Sequence, residues 1–219
     1  MADFTFKHAV MTAGKSRELA RIHYTFNQKG HLALVIVPTT DTRGKGKQAV
    51  IARSGEEVAA LAVEPGYMRH ILESTMNTIE STYKGNTIKC ILIDEVQFFT
   101  RDDIFAVKEL ACINKDIPVM AFGLKNDFKN ELFEGSVASL IVAERIEEIE
   151  TICAFCNDKA IMNMRFKDGA PIKEGEQVQI GDEEYKPVCH KHYNDETIRI
   201  DMTDYNNFSS NILKRLAIV

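Results

Sequence analysis

Phe4-Thr5-Phe6-Lys7-His8-Ala9-Val10-Met11-Thr12-Ala13-Gly14-Lys15-Ser16, near the start of a 219-residue chain, decides the fold. Phe4, Phe6, His8 and Val10 alternate with other residues as a short strand does, and a helix-compatible stretch follows Ser16 and ends near Gly30. Between them, Ala9 to Ser16 matches G-x-x-x-x-G-K-[ST] except that Ala9 replaces the first glycine. A loop between a strand end and a helix start turns consecutive backbone N–H groups and the helix dipole toward an anionic triphosphate. Ala9, Val10, Met11, Thr12, Ala13 and Gly14 are therefore expected to cradle a nucleotide, Lys15 to meet its β- and γ-phosphates, and the Ser16 hydroxyl to hold Mg²⁺. The plain alternative is a strand-to-helix turn in which Gly14 permits the bend and Lys15 is solvated. The complete strand-loop-helix context weighs against it, although the Ala9 methyl group restricts how closely backbone can approach a phosphate.

Further along, Leu32 to Val37, Ile88 to Ile93 and Ile117 to Phe122 are β-rich apolar runs, and the segments 66–82 and 101–114 fit helices. Buried strands alternating with helices predict an α/β fold: a P-loop parallel sheet with helices on both faces. Thr39 to Gly55, with Asp41-Thr42-Arg43-Gly44-Lys45-Gly46-Lys47 inside it, is polar and cationic and reads as a mobile loop. Asp94 ends the Ile91-Leu92-Ile93 run, at the carboxyl edge where parallel sheets present ligands, and is a candidate Mg²⁺ partner. Glu95 follows directly. With Asp94 serving the metal, Glu95 can accept the proton of an acceptor hydroxyl as a general base.

The cysteines fall at 90, 112, 153, 156 and 189, an odd number in a chain too large to need disulfide staples. Cys153-Ala154-Phe155-Cys156 and Cys189-His190-Lys191-His192 form C-x-x-C and C-x-x-H pairs, which predict a closed, structural Zn²⁺ site of Cys153, Cys156, Cys189 and His192. His190 competes with His192, whose spacing is the symmetric one. Cys90 and Cys112 read as core residues. Short strands and turns beyond residue 148 predict a small β-rich zinc-ribbon lobe, so the expected division is 1–147, 148–193 and a tail of 194–219.

A net charge of −5 and a pI near 5.7 argue against nonspecific nucleic-acid binding. No apolar run reaches the ~18 residues that cross a bilayer, and Met1-Ala2-Asp3-Phe4 lacks a basic start leading into a signal core. The expectation is a cytoplasmic protein without a membrane partner.

Taken in order, Met11-Thr12-Ala13-Gly14-Lys15-Ser16, Asp41-Thr42-Arg43, Asp94-Glu95-Val96-Gln97-Phe98, Phe122-Gly123-Leu124-Lys125-Asn126-Asp127-Phe128, the four metal ligands and Gly181-Asp182-Glu183-Glu184-Tyr185 resemble the type II thymidine kinases across about residues 4–193. The resemblance implies transfer of the γ-phosphoryl group of ATP to the 5′-hydroxyl of thymidine, with deoxyuridine a second acceptor. It implies Glu95 as the base for that hydroxyl, Arg43 as a cation near the transferring phosphate, and Gln97 as part of the nucleotide-site signature. Phe98, Leu124 and Phe128 match positions around the nucleoside, Met11 lies near the thymine methyl group, and Arg165 helps hold the lobe. Val178, Gln179, Ile180 and Gly181, on to Tyr185, are similar to the family's lasso over the base. The resemblance further implies a homotetramer and feedback inhibition by dTTP.

Overall fold

The computed structural model describes residues 1–40, 49–52, 55–82, 87–177 and 184–200. Strand β1 (Phe4–Ala9) runs into helix α1 (Lys15–Gln28), followed by β2 (Leu32–Pro38), the short strands β3 (Ala49–Ile51), β4 (Glu57–Ala59) and β5 (Leu61–Val63), and α2 (Met68–Thr82). Next come β6 (Ile88–Ile93), a 3₁₀ turn over Val96–Phe98, α3 (Arg101–Val107) continuing as a wide π turn over Lys108–Ile113, β7 (Val119–Leu124), α4 (Glu134–Val142) and β8 (Arg145–Glu148). The chain then forms β9 (Met162–Lys167), β10 (Ala170–Ile172), β11 (Glu184–Val188) and the single-turn α5 (His190–Tyr193).

Six strands pair in the order β5-β2-β6-β7-β1-β8, every pairing parallel. The two faces are read directly from the period of two along each strand. Ile91 and Ile93 of β6 join Phe4, Phe6 and Ile36 under Met68, Leu72 and Met76 of α2 and Ile104 and Val107 of α3. Cys90 and Leu92 point the other way, with Ala33, Val35 and Val37, and pack under Leu19, Ala20 and Ile22 of α1. This is the expected parallel sheet covered on both sides. Burial drives the Cys90 thiol up to about 12, with Cys112 nearby adding to it, and raises Cys112 to about 11, so both are inert core residues.

One expectation needs correction. The stretch 39–55 is not loop throughout: Ala49–Ile51 pairs antiparallel with Glu57–Ala59, and Val50 and Val58 cap the α1 face of the core. One valine inward on each short strand suffices to seat the hairpin, too few apolar residues to register as a periodic signal. Arg165 of β9 is 1% exposed. Its guanidinium carbon lies 4.7 Å from the centre of the Phe128 ring, and its Nη1 donates to the Glu176 carbonyl at 3.3 Å. A delocalised guanidinium tolerates such an aromatic face better than a compact ammonium would.

The carboxyl edge of the sheet is held from beneath by close backbone packing. A Cβ added at Gly135 in α4 would lie 2.2 Å from the Val96 carbonyl oxygen and 2.6 Å from that of Phe99, both in the turn after Glu95. Neither contact can be relieved by rotating a side chain. Gly135→Ala is expected to destabilise the protein by about 2–4 kcal/mol, since the helix or the turn must shift. A denaturant midpoint within error of the parent would show that α4 can move away freely.

Within residues 150–177 and 184–200, β9, β10 and β11 form the three-stranded antiparallel sheet β10-β9-β11 with α5 beside it, the expected β-rich lobe. Its core is Met164, Phe166, Val188 and Tyr193 with Cys153, Cys189 and Ile200. Ile200 N–H donates to the Gly169 carbonyl at 3.0 Å, so the chain after Tyr193 folds back onto the lobe. Among the described residues, no helix is long and apolar enough to cross a membrane.

Candidate active site and metal centre

The turn from β1 into α1 has left-handed backbone at Thr12 (φ 63°) and Gly14 (φ 93°). Ala9, where a glycine is common, is the last residue of β1, 4% exposed and in register with Leu124 of β7. Lys15, the first residue of α1, is buried, and its Nζ donates to the Val10 carbonyl at 3.3 Å. The ammonium therefore bends back over the loop that precedes it.

Strand order brings the second half of the site to this loop. β7 separates β1 from β6, yet the Ser16 Oγ donates to Asp94 Oδ2 at 2.9 Å across 78 residues of chain. The other carboxylate oxygen, Oδ1, accepts the Glu95 N–H at 3.0 Å. Glu95 is 5% exposed and left-handed (φ 49°, ψ 43°), a conformation a non-glycine residue holds only when its surroundings enforce it. The enforcement is visible: Gln97 Nε2 donates to Glu95 Oε2, and Gln97 Oε1 accepts the Leu124 N–H at 3.1 Å. A Cβ on Gly123 would come within 2.7 Å of Gln97 Oε1, so the glycine admits this side chain between the two strand ends.

Of the residues expected around a nucleoside, Phe98 is half-buried and meets Phe133 edge-on at 6.1 Å, and Leu124 is 9% exposed. Phe128 is 2% exposed; its ring lies 4.7 Å from the Arg165 guanidinium and 6.4 Å from the Tyr185 ring, which the same guanidinium approaches to 6.0 Å. Met11 is partly exposed at the loop. Asp41, Arg43, Val178, Gln179, Ile180 and Gly181 lie outside the described residues.

The two cysteine-containing turns converge. One ligand atom each from Cys153, Cys156, Cys189 and His192 lies within 4.8 Å of the others. Cys153 Sγ and Cys189 Sγ are 3.4 and 3.2 Å from His192 Nδ1, and Cys156 Sγ is 3.8 Å from Cys189 Sγ. Zn–S bonds of about 2.3 Å at tetrahedral angles set sulfurs about 3.8 Å apart, so the cluster has the dimensions of a zinc cage. Burial raises the Cys153 thiol, but the backbone N–H groups of Cys189, Phe155 and Cys156 outweigh it and hold the thiol below its ordinary value. That favours the thiolate a metal needs. His190 faces away, its Nδ1 3.2 Å from Asn194 Nδ2. The four residues fit structural zinc, which would join the two ends of the lobe.

Two polar residues of the lobe without a distinguishing sequence signal, Asn163 and Tyr193, tie it to the sheet. Asn163 of β9 is 2% exposed; its Oδ1 accepts the Met11 N–H at 2.7 Å and its Nδ2 donates to the Asn126 carbonyl at 3.2 Å. Asn126 Nδ2 donates to Asn130 Oδ1 at 3.0 Å. Tyr193 Oη donates to the Phe128 carbonyl at 2.8 Å.

A phosphate-binding loop whose serine meets a strand-end carboxylate, with a second carboxylate fixed beside it, places the chain among the P-loop phosphotransferases. Comparison with known proteins narrows the class. The family described as Thymidine kinase matches residues 2–193. A thymidine kinase of Streptococcus gordonii is 42% identical over 194 residues, 88% of this chain and 96% of that protein. Those of Lactococcus lactis subsp. lactis and Lactobacillus johnsonii are 41% and 40% identical over 198 and 197 residues, 88% of this chain in each case and 97% and 96% of theirs. The chain belongs to the thymidine kinase family.

Proposed function

We propose that this chain transfers the γ-phosphoryl group of ATP to the 5′-hydroxyl of thymidine, giving dTMP and ADP in nucleotide salvage, with deoxyuridine as a second acceptor. The observation that carries the reading is the Ser16–Asp94–Glu95 arrangement, in which the two carboxylates have separate duties. Ser16 and Asp94 hold Mg²⁺ arriving with ATP, which supplies charge neutralisation at the phosphates. The N–H groups of the loop from Ala9 to Ser16 cradle the triphosphate, and Lys15 and Arg43 offset charge on the transferring group. Glu95, oriented by Gln97, accepts the proton of the 5′-hydroxyl. Met11, Phe98, Leu124 and Phe128 line the nucleoside's apolar side, and Val178, Gln179, Ile180 and Gly181 are assigned to the base together with Tyr185, whose ring Arg165 supports.

The same reading divides the chain into a nucleotide-binding unit, 1–147, a zinc lobe, 148–193, and a tail, 194–219. It makes the protein a cytoplasmic homotetramer inhibited by dTTP. The test is incubation with Mg²⁺ and γ-labelled ATP plus thymidine, deoxyuridine, deoxycytidine or no nucleoside. Labelled dTMP is the expected product; label released only as free phosphate, whatever nucleoside is added, would replace the kinase with an ATPase.

A further inference from the structure

Both faces of one peptide unit in the phosphate loop are occupied. The Val10 carbonyl accepts the Lys15 ammonium, and the N–H of the same peptide, on Met11, donates to Asn163 Oδ1. Asn163 comes from β9 of the zinc lobe, 152 residues further along the chain than Met11, and its amide has no slack: the Nδ2 end is held by the Asn126 carbonyl after β7. A peptide plane fixed at its N–H cannot rotate its carbonyl, so the anchor of Lys15 is set by a side chain of the other lobe. We infer that Asn163 is a positioning residue, which orients the Val10–Met11 peptide and through it the phosphate-binding ammonium of Lys15. The zinc lobe thus acts on the phosphate side of the site. This rests on the reading of Lys15 as the cation for ATP.

Removing the amide leaves Met11 N–H and the Asn126 carbonyl unsatisfied at a site with little access to water. Asn163→Leu keeps the same branching at Cγ, though it is bulkier, and has neither hydrogen-bonding end. Its kcat/KM for ATP is expected to fall roughly tenfold or more, with a smaller rise in the thymidine KM at saturating ATP, since Met11 also borders the nucleoside. The control is Tyr193→Phe, which deletes another hydrogen bond from the lobe, to Phe128, without touching the phosphate loop. It is expected to lose comparable thermal stability while its ATP KM stays at the parental value. Should Asn163→Leu fail to fold, Asn163→Thr, whose hydroxyl is too short to span both partners, is read the same way with a smaller change. Equal losses for ATP and thymidine that match those of Tyr193→Phe would reduce Asn163 to a docking contact, and unchanged ATP kinetics in a folded variant would overturn the inference. A parent chain that phosphorylates no nucleoside would instead remove the function on which the inference stands, so the two failures are distinguishable.

Discussion

Glu95→Gln is expected to lower kcat by about 10²–10⁴-fold while leaving the KM values for ATP and thymidine within a few-fold of the parent. The substitution is nearly isosteric, and the new amide oxygen can still accept from Gln97 Nε2, so the link from Gln97 to the Leu124 N–H is retained. Asp94 keeps its contacts to Ser16 and to the backbone N–H of residue 95. What disappears is a group able to take a proton. Because binding and geometry persist, the loss should appear in turnover, equivalent to about 3–5 kcal/mol of transition-state stabilisation. Steady-state kinetics in both substrates, with ATP affinity measured separately by calorimetry, gives the split. A kcat within about threefold of the parent would mean that proton transfer is not limited by this residue and that the carboxylate serves another purpose.

Stripping the metal, or Cys189→Ser, is expected to unfold the lobe as a unit and abolish thymidine phosphorylation. The buried apolar cluster there comprises Cys153, Met164, Phe166, Val188, Cys189, Tyr193 and Ile200, two of which are themselves metal ligands. Such a cluster is too small to offset the ordering of its own loops. Structural zinc in comparable small folds contributes about 10–16 kcal/mol, so removal should exceed the lobe's stability many times over. Hydrogen exchange would show loss of protection across β9, β10 and β11, with β1, β6 and β7 still protected by the main core. Mass spectrometry of the intact protein should show one zinc per parent chain. Retained protection in β9 to β11 of metal-free protein would leave the cysteine cluster without a structural duty.

How much of this could be read in advance follows from what each feature requires. The phosphate loop was legible because its function needs a contiguous backbone conformation, and Gly14, Lys15 and Ser16 are adjacent residues performing adjacent tasks. The zinc cluster was legible for a related reason: each half is a turn with ligands three residues apart, and pairing the halves requires only that they meet. Asp94 and Glu95 were found because they end an apolar run, a local mark of a strand's carboxyl edge. Arg165 is legible only through the resemblance, since nothing nearby in the sequence announces that Phe128 and Tyr185 will flank it. The hairpin over Ala49–Ile51 was hidden in a polar stretch because it spends a single buried valine per strand. Asn163 carried no mark, for an asparagine in a strand looks the same whether it faces water or a peptide group 152 residues away.

The sequence alone therefore determined the alternation of strands and helices, the anion-binding turn and the set of metal ligands, all properties of short-range chemistry and hydrophobic period. Tertiary structure decided the order β5-β2-β6-β7-β1-β8, the meeting of Ser16 with Asp94 and the clasp of Asn163 on the phosphate loop. Strand order is chosen by which buried faces and helices fit together over the whole core, and a hydrogen bond between distant residues exists only after that choice is made. Local residue patterns can specify an element and the chemistry it carries; the partners of that chemistry are fixed by packing.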